Sequence, residues 1–179
     1  MQDNDLIALI IEIISAQASD AGIAGVPVRQ AYQPTNQGVS STASAYLFKI
    51  LDYRVGAPEK TDFYDDGTNE IVHRESQWIE TTFQFSALAP YANTTPPPPT
   101  AGDILGAIAY ILQSEDGIAA FQAQGVGVQR IGQIVNSLVP KDRGGYESAP
   151  FFDIVLSHKK TIENRKIVVE SIETKLVSV

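Results

Sequence analysis

Ser76-Gln-Trp-Ile-Glu-Thr-Thr-Phe-Gln-Phe-Ser-Ala-Leu88 decides the fold. Ile79, Thr81, Phe83, Phe85 and Ala87 fall on one side of an extended backbone, and Glu80, Thr82, Gln84 and Ser86 fall on the other. Trp, Ile, Thr and Phe all suit a pleated surface, so the stretch predicts a long strand through the middle of a sheet.

Working back from it, Ala45 to Val55 predicts a second strand, with Tyr46, Phe48 and Ile50 opposite Leu47, Lys49 and Leu51. Between the two, residues 56–75 hold Glu59, Asp62, Asp65, Asp66, Glu70 and Glu75 and break the apolar alternation. They read as an acidic loop, either simply solvated or in contact with another subunit. A calcium loop is rejected, because Tyr64 fills a ligand position and His73 stands where a bidentate Glu is needed. Residues 3–19 predict a helix with a stripe of Leu6, Ile7, Ile10, Ile11, Ile13 and Ile14, capped by Asp3 or Asn4. Val26 to Tyr32 predicts a short strand, which Pro27 confines to an edge. Residues 34–42 read as an exposed loop.

Beyond the central strand, residues 90–100 include four consecutive prolines and predict a stiff, proline-rich spacer. Thr100-Ala-Gly-Asp103 has the form of a capping box. The helix it opens buries Ile104, Leu105, Ile108, Ile111 and Leu112, and a short helix follows at Gly117 to Ala123. Gly125-Val-Gly-Val-Gln-Arg-Ile-Gly132 fails as a dinucleotide loop, since Arg130 holds the third glycine position and a helix precedes it. It predicts a strand with a bulge near Gly132. Lys141 to Gly145 reads as a turn, Phe151 to His158 as a strand, Glu163-Asn164 as a hairpin and Lys166 to Val177 as a last strand. The order predicts one α+β domain over 1–179. Its sheet is mostly antiparallel, with the N-terminal helix and a central helix pair on one face.

Of the 179 residues, 44% are apolar, which supplies a core, and none is cysteine, which excludes disulfides and thiolate metal sites. No apolar run is long enough to cross a bilayer, and the acidic start does not suit a secretory signal. The expectation is a protein made in the cytoplasm with no membrane contact. The formal charge of −8 divides unevenly: residues 1–140 carry 6 basic and 15 acidic side chains (−9), residues 141–179 carry 7 and 6 (+1). No clustered basic surface is present to grip a phosphate backbone. No nucleophile elbow, zinc-protease pair or phosphate loop occurs. His158, Asp153 and Ser157 lie on one strand whose adjacent residues face opposite ways. The reading is therefore not an enzyme, with no cofactor, metal or catalytic residues.

Several phrases resemble the neck or tail terminator proteins of tailed bacteriophages. They are the N-terminal helix before an edge strand, Gln77-Trp-Ile-Glu-Thr-Thr-Phe-Gln-Phe85, Asp103-Ile-Leu-Gly-Ala-Ile108, Gly125-Val-Gly-Val-Gln-Arg-Ile131 and Tyr146-Glu-Ser-Ala-Pro-Phe-Phe-Asp153. The resemblance implies a structural virion protein of the phage tail or neck, assembled in the host cytoplasm. It implies a ring of identical subunits, usually six-fold, that ends tail tube growth and joins the tail to the neck. Its partners would be itself, tail tube protein, neck or connector proteins and sheath protein, with DNA passing through the ring unread. Candidate subunit contacts are Glu59, Asp62, Asp65, Asp66, Glu70, Arg130, Lys141 and Arg143. The alternatives are another head-tail connector or adaptor component, or a monomeric domain that holds one partner with residues 56–75.

Overall fold

The structure, a computed structural model, describes residues 1–30, 42–90, 95, 97–140 and 146–167. Helix α1 spans Asp3–Gln17, α2 Ala101–Gln113 and α3 Glu115–Ala123. The strands are β1 (Val28–Gln30), β2 (Ser44–Asp65), β3 (Glu70–Leu88), β4 (Val126–Ile131), β5 (Leu138–Pro140), β6 (Tyr146–Ser148) and β7 (Phe151–Ile167). Five of them form one sheet in the order β1-β2-β3-β7-β4, with β5 and β6 paired separately. β1 runs parallel to β2 at the sheet edge and every other pairing is antiparallel. This is the expected α+β class, with the Pro27 strand at an edge.

The alternation in β3 sorts the layers. Phe83, Phe85 and Ala87 turn inward and join Ala45, Leu47, Phe152, Ile154 and Leu156 from the neighbouring strands. Against them pack Leu6, Ile10 and Ile14 of α1 and Ile104, Leu105, Ile108 and Leu112 of α2. Phe85 and Phe152 stack with ring centroids 5.0 Å apart, and both are buried. The helices stop and start where the sequence supplies caps. At α2, the Asp103 amide donates to the Thr100 hydroxyl (3.2 Å) and the Thr100 amide donates back to the Asp103 carboxylate (2.9 Å). The Ser114 hydroxyl accepts from the Gly117 amide at 3.0 Å to open α3, and a Cβ on Gly117 would lie 2.2 Å from the Ile111 carbonyl oxygen. α1 differs from expectation: Gln2 is its N-cap, and the Asp5 carboxylate accepts from the Gln2 amide at 2.9 Å.

The largest difference lies at 56–75. It is not a loop. β2 runs through Lys60 to Asp65, the chain turns at residues 66–69, and β3 begins at Glu70. Gly56, with φ +69°, sits in an irregularity between Val55 and Glu59 that interrupts the register without ending the strand. β7 also passes straight through Glu163 and Asn164, pairing Ile167 with Glu70, so no hairpin forms there. β2, β3 and β7 together therefore make a three-stranded arm. Its β3 portion, residues 70–78, extends roughly 30 Å past the last residue paired with β4.

Smaller corrections follow the same register. The bulge of β4 falls between Val128 and Arg130 rather than at Gly132, and the strand ends at Ile131. At Gly132 a Cβ would lie 3.3 Å from the Asp153 carbonyl oxygen, so the glycine permits close approach of two backbones. The Lys141–Gly145 turn and the strand expected beyond Ile167 lie outside the described residues, as do most of the 34–42 loop and part of the proline-rich spacer.

Phe85→Ala is expected to destabilise the protein by about 3–5 kcal/mol, because it removes a buried ring and its stacking partner's contact. Chemical denaturation of the two chains side by side measures this, with a loss under about 1 kcal/mol contradicting the packing described.

Candidate assembly surface

Alternation continues into the arm, but charge takes the place of apolar side chains. On one face, Lys159 reaches across β3 to Glu59 (2.8 Å), Arg74 pairs with Glu163 (2.7 Å) and Arg165 pairs with Asp65 (3.1 Å) and Glu70 (3.4 Å). The Arg74 guanidinium also lies 5.0 Å from the Phe63 ring centroid. Val72, fully buried, sits opposite Phe63 on β2 and Arg165 on β7. On the other face, His73 joins Asp62 through Nδ1 and Glu75 through Nε2 (3.1 Å), and Lys60 closes on Glu75 at 3.2 Å. The Lys159 ammonium holds the Glu59 carboxyl below the usual carboxylate range. Exposed pairs of this kind add little to stability; they match the register that the body sets.

The structure therefore divides the predicted contact residues. Glu59, Asp62, Asp65 and Glu70 are engaged with cations or His73 of their own chain. Asp66, in the exposed turn, and Arg130, exposed on β4, make no ion pair among the described residues. Lys141 and Arg143 lie outside the described residues. Arg130 borders an open groove of about 460 Å³, lined also by Leu51, Tyr53, Glu80, Thr82 and Val155. Leu51 and Tyr53 in the groove continue along the same face to Val55 and Trp78, all four exposed. Register places them side by side, Tyr53 opposite Glu80 and Val55 opposite Trp78. Sequence reading missed this patch because the same alternation that identifies a core face also loads the opposite one.

The other histidine lies where arm meets body. His158 is buried, and its Nε2 lies 3.0 Å from the Thr81 hydroxyl, which donates to the Asp52 carboxylate at 2.7 Å. With the hydroxyl proton given to Asp52, the ring must donate from Nε2. Nδ1 is then an acceptor with no partner. Burial, then the nearby N-terminal ammonium, pushes the imidazole pKa down. Ser157 bonds instead to the Gln129 amide (2.9 Å) and Asp153 accepts from Gln84 (2.8 Å). The three residues do not converge into a hydrolytic site. Among the described residues no group of three His, Cys, Asp or Glu is placed to hold a metal ion.

Fold and surface define a class: a small α+β body carrying a long, charge-laddered β-arm. The chain belongs to the E217 gateway protein gp29 family, whose model matches residues 5–167. That family of phage proteins bears out the resemblance drawn from the sequence. A solved structure titled as a sheath/tube terminator of an extracellular contractile injection system, PVC, in its extended state, is similar over 97% of this chain at 8% identity, with a TM-score of 0.49. This chain spans 64% of that chain's length. No curated protein matches.

Two predictions follow from the histidines. Thr81→Val leaves the buried His158 N–H without an acceptor and should cost about 1–3 kcal/mol, read from denaturation at pH 7.5. The pH dependence has two opposed parts. His158 has a lowered folded pKa, so its contribution is complete above the unfolded value of about 6.5 and is lost as pH falls below it, by at most ~1.4 kcal/mol per pH unit. His73 has a pKa raised by Asp62 first and Glu75 second. Its contribution is present below about 6.5 and is lost as pH rises through the folded value. His73→Gln should therefore steepen the loss of stability on acidification, and His158→Gln should flatten it. Parallel melting curves from pH 5 to 8 check both signs.

Proposed function

We propose that this protein is a structural component of the phage tail at its head-proximal end. There it assembles as a ring, stops growth of the tail tube and joins the tail to the neck. The observation that carries this is the family match over residues 5–167. An arm projecting from the body and an exposed apolar patch beside Glu80 and Arg130 support it, since a repeated subunit contact needs surfaces of this kind.

The ring is built from one heterologous contact repeated about an axis, with six copies the expected number. Tail tube protein meets one side and neck or connector proteins the other, with sheath protein outside in a contractile tail. DNA passes through without being read: the chain's net charge of −8 repels a phosphate backbone rather than holding it. Asp66 and Arg130 are the described candidates with unspent charge for contacts between subunits, and Lys141 and Arg143 remain part of this reading. The protein ends up in the virion after assembly in the host cytoplasm.

Electron microscopy of particles made without this chain tests the reading. Tails of irregular length that fail to join heads are expected, with both defects repaired by supplying the wild-type chain. Tails of normal length attached to heads would overturn it. A purified chain that stays single and never associates with tail tube protein would favour an isolated partner-binding domain instead.

A further inference from the structure

We propose that neighbouring copies of this chain join arm to arm, the β7 edge of one copy adding to the β2 edge of the next as a parallel ladder. This deepens the ring reading and rests on it. Within the arm, β3 is paired on both sides, whereas β2 and β7 are each paired to β3 on one side only. Among the described residues, β1 covers β2 only at Ala45–Leu47, and β4 covers β7 only from Ile154 to His158. The outer edges of β2 and β7 along the arm therefore present rows of backbone N–H and C=O groups with no described strand beside them. Such rows are templates for an added strand.

Charge selects the partner. Residues 59–66 hold Glu59, Asp62, Asp65 and Asp66 against Lys60, a balance of −3. Residues 159–166 hold Lys159, Lys160, Arg165 and Lys166 against Glu163, a balance of +3. One edge is acidic and the other basic by the same amount. Pairing two copies about a two-fold axis would set β2 against β2 or β7 against β7, like charge against like. Joining β7 of one copy to β2 of the next sets opposite charges together.

Strand direction agrees. β2 and β7 both run antiparallel to β3, so they run parallel to each other, and a head-to-tail contact between copies becomes a parallel ladder with evenly spaced bonds. A contact of this kind is heterologous and closes into a ring when its rotation divides a full turn. The Gly56-Ala57-Pro58 irregularity blunts the body-proximal part of the β2 edge, since Pro58 has no N–H to offer. The free segment is thereby 59–65, level with 161–167 across β3. Lys160, Lys166 and Asp66 make no ion pair among the described residues and are available across the junction.

A charge-swap pair tests this. Lys160→Glu with Lys166→Glu makes both edges acidic, and Asp62→Lys with Asp66→Lys makes both basic. Each variant, and the two mixed, are compared with the wild type by light scattering alone and in the presence of tail tube protein, with thermal melting followed by circular dichroism. Each variant alone should lose the assembled species, and the mixture should restore it by alternating the two chains. Hydrogen exchange of the wild type should slow on assembly at 59–65 and 160–166. Either variant assembling alone like the wild type overturns the arm junction and leaves the ring reading standing. So does a mixture that stays apart while both variants melt normally, or exchange unchanged at both edges. A wild type that never assembles, with or without tail tube protein, overturns both.

Discussion

The structure depends on the backbone of β3 being paired on both sides along most of its length. β2 accompanies it from Ser44 to Asp65 and β7 from Phe151 to Ile167. Within the body this ladder is reinforced by burial: the inward side chains of β3 meet α1 and α2, and four phenylalanines are fully enclosed. In the arm the ladder stands nearly alone. Val72 is the one apolar side chain fully buried there among the described residues. The arm is an extension of the central strand's pairing beyond the reach of the core, and its three strands keep their register because the body has already set it.

That division explains what could be read in the residues. Ser76 to Leu88 declares a strand because its inward face is apolar and its outward face polar. The capped helix at Thr100 and the edge strand after Pro27 are equally local signals and are found where expected. Residues 56–75 carry no such pattern, since neither face of the arm meets a core. Their alternation is of charge, and its meaning depends on partners that lie far away in sequence: Glu59 waits for Lys159 and Asp65 for Arg165. Six acids between residues 59 and 75 look like a solvated loop until the third strand, with its bases, is laid beside them. The continuation of β7 through Glu163-Asn164 was hidden for the same reason.

The candidate contact residues are picked out by their charge, and the fold decides which of them are left unpaired. Six of the acidic and basic residues singled out lie on described elements, but four of them are spent within the chain. Asp66 and Arg130 differ from the others only in where the fold leaves them. The apolar patch of Leu51, Tyr53, Val55 and Trp78 carries no sequence mark, because an exposed face of aliphatic and aromatic residues has the alternation of a buried one. The link from Asp52 through Thr81 to His158 joins three strands and needs the register of each before it exists.

An arm with almost no core of its own has a definite energetic character. Fixing each residue's backbone costs about 1–2 kcal/mol, and the exposed ion pairs along the arm return little of that. What remains is the ladder itself, shared among three strands and anchored at one end by the body and by the buried His158–Thr81–Asp52 link. Among the described elements the arm therefore has the features of low local stability, with few buried apolar contacts and an exposed ladder. Adding a fourth strand at either edge would pair groups that otherwise face water and would order the tip most, where the anchor is farthest. Under the proposed arm junction, rigidity would be coupled between neighbours: the body is firm on its own, and the arm would gain firmness from the added strand.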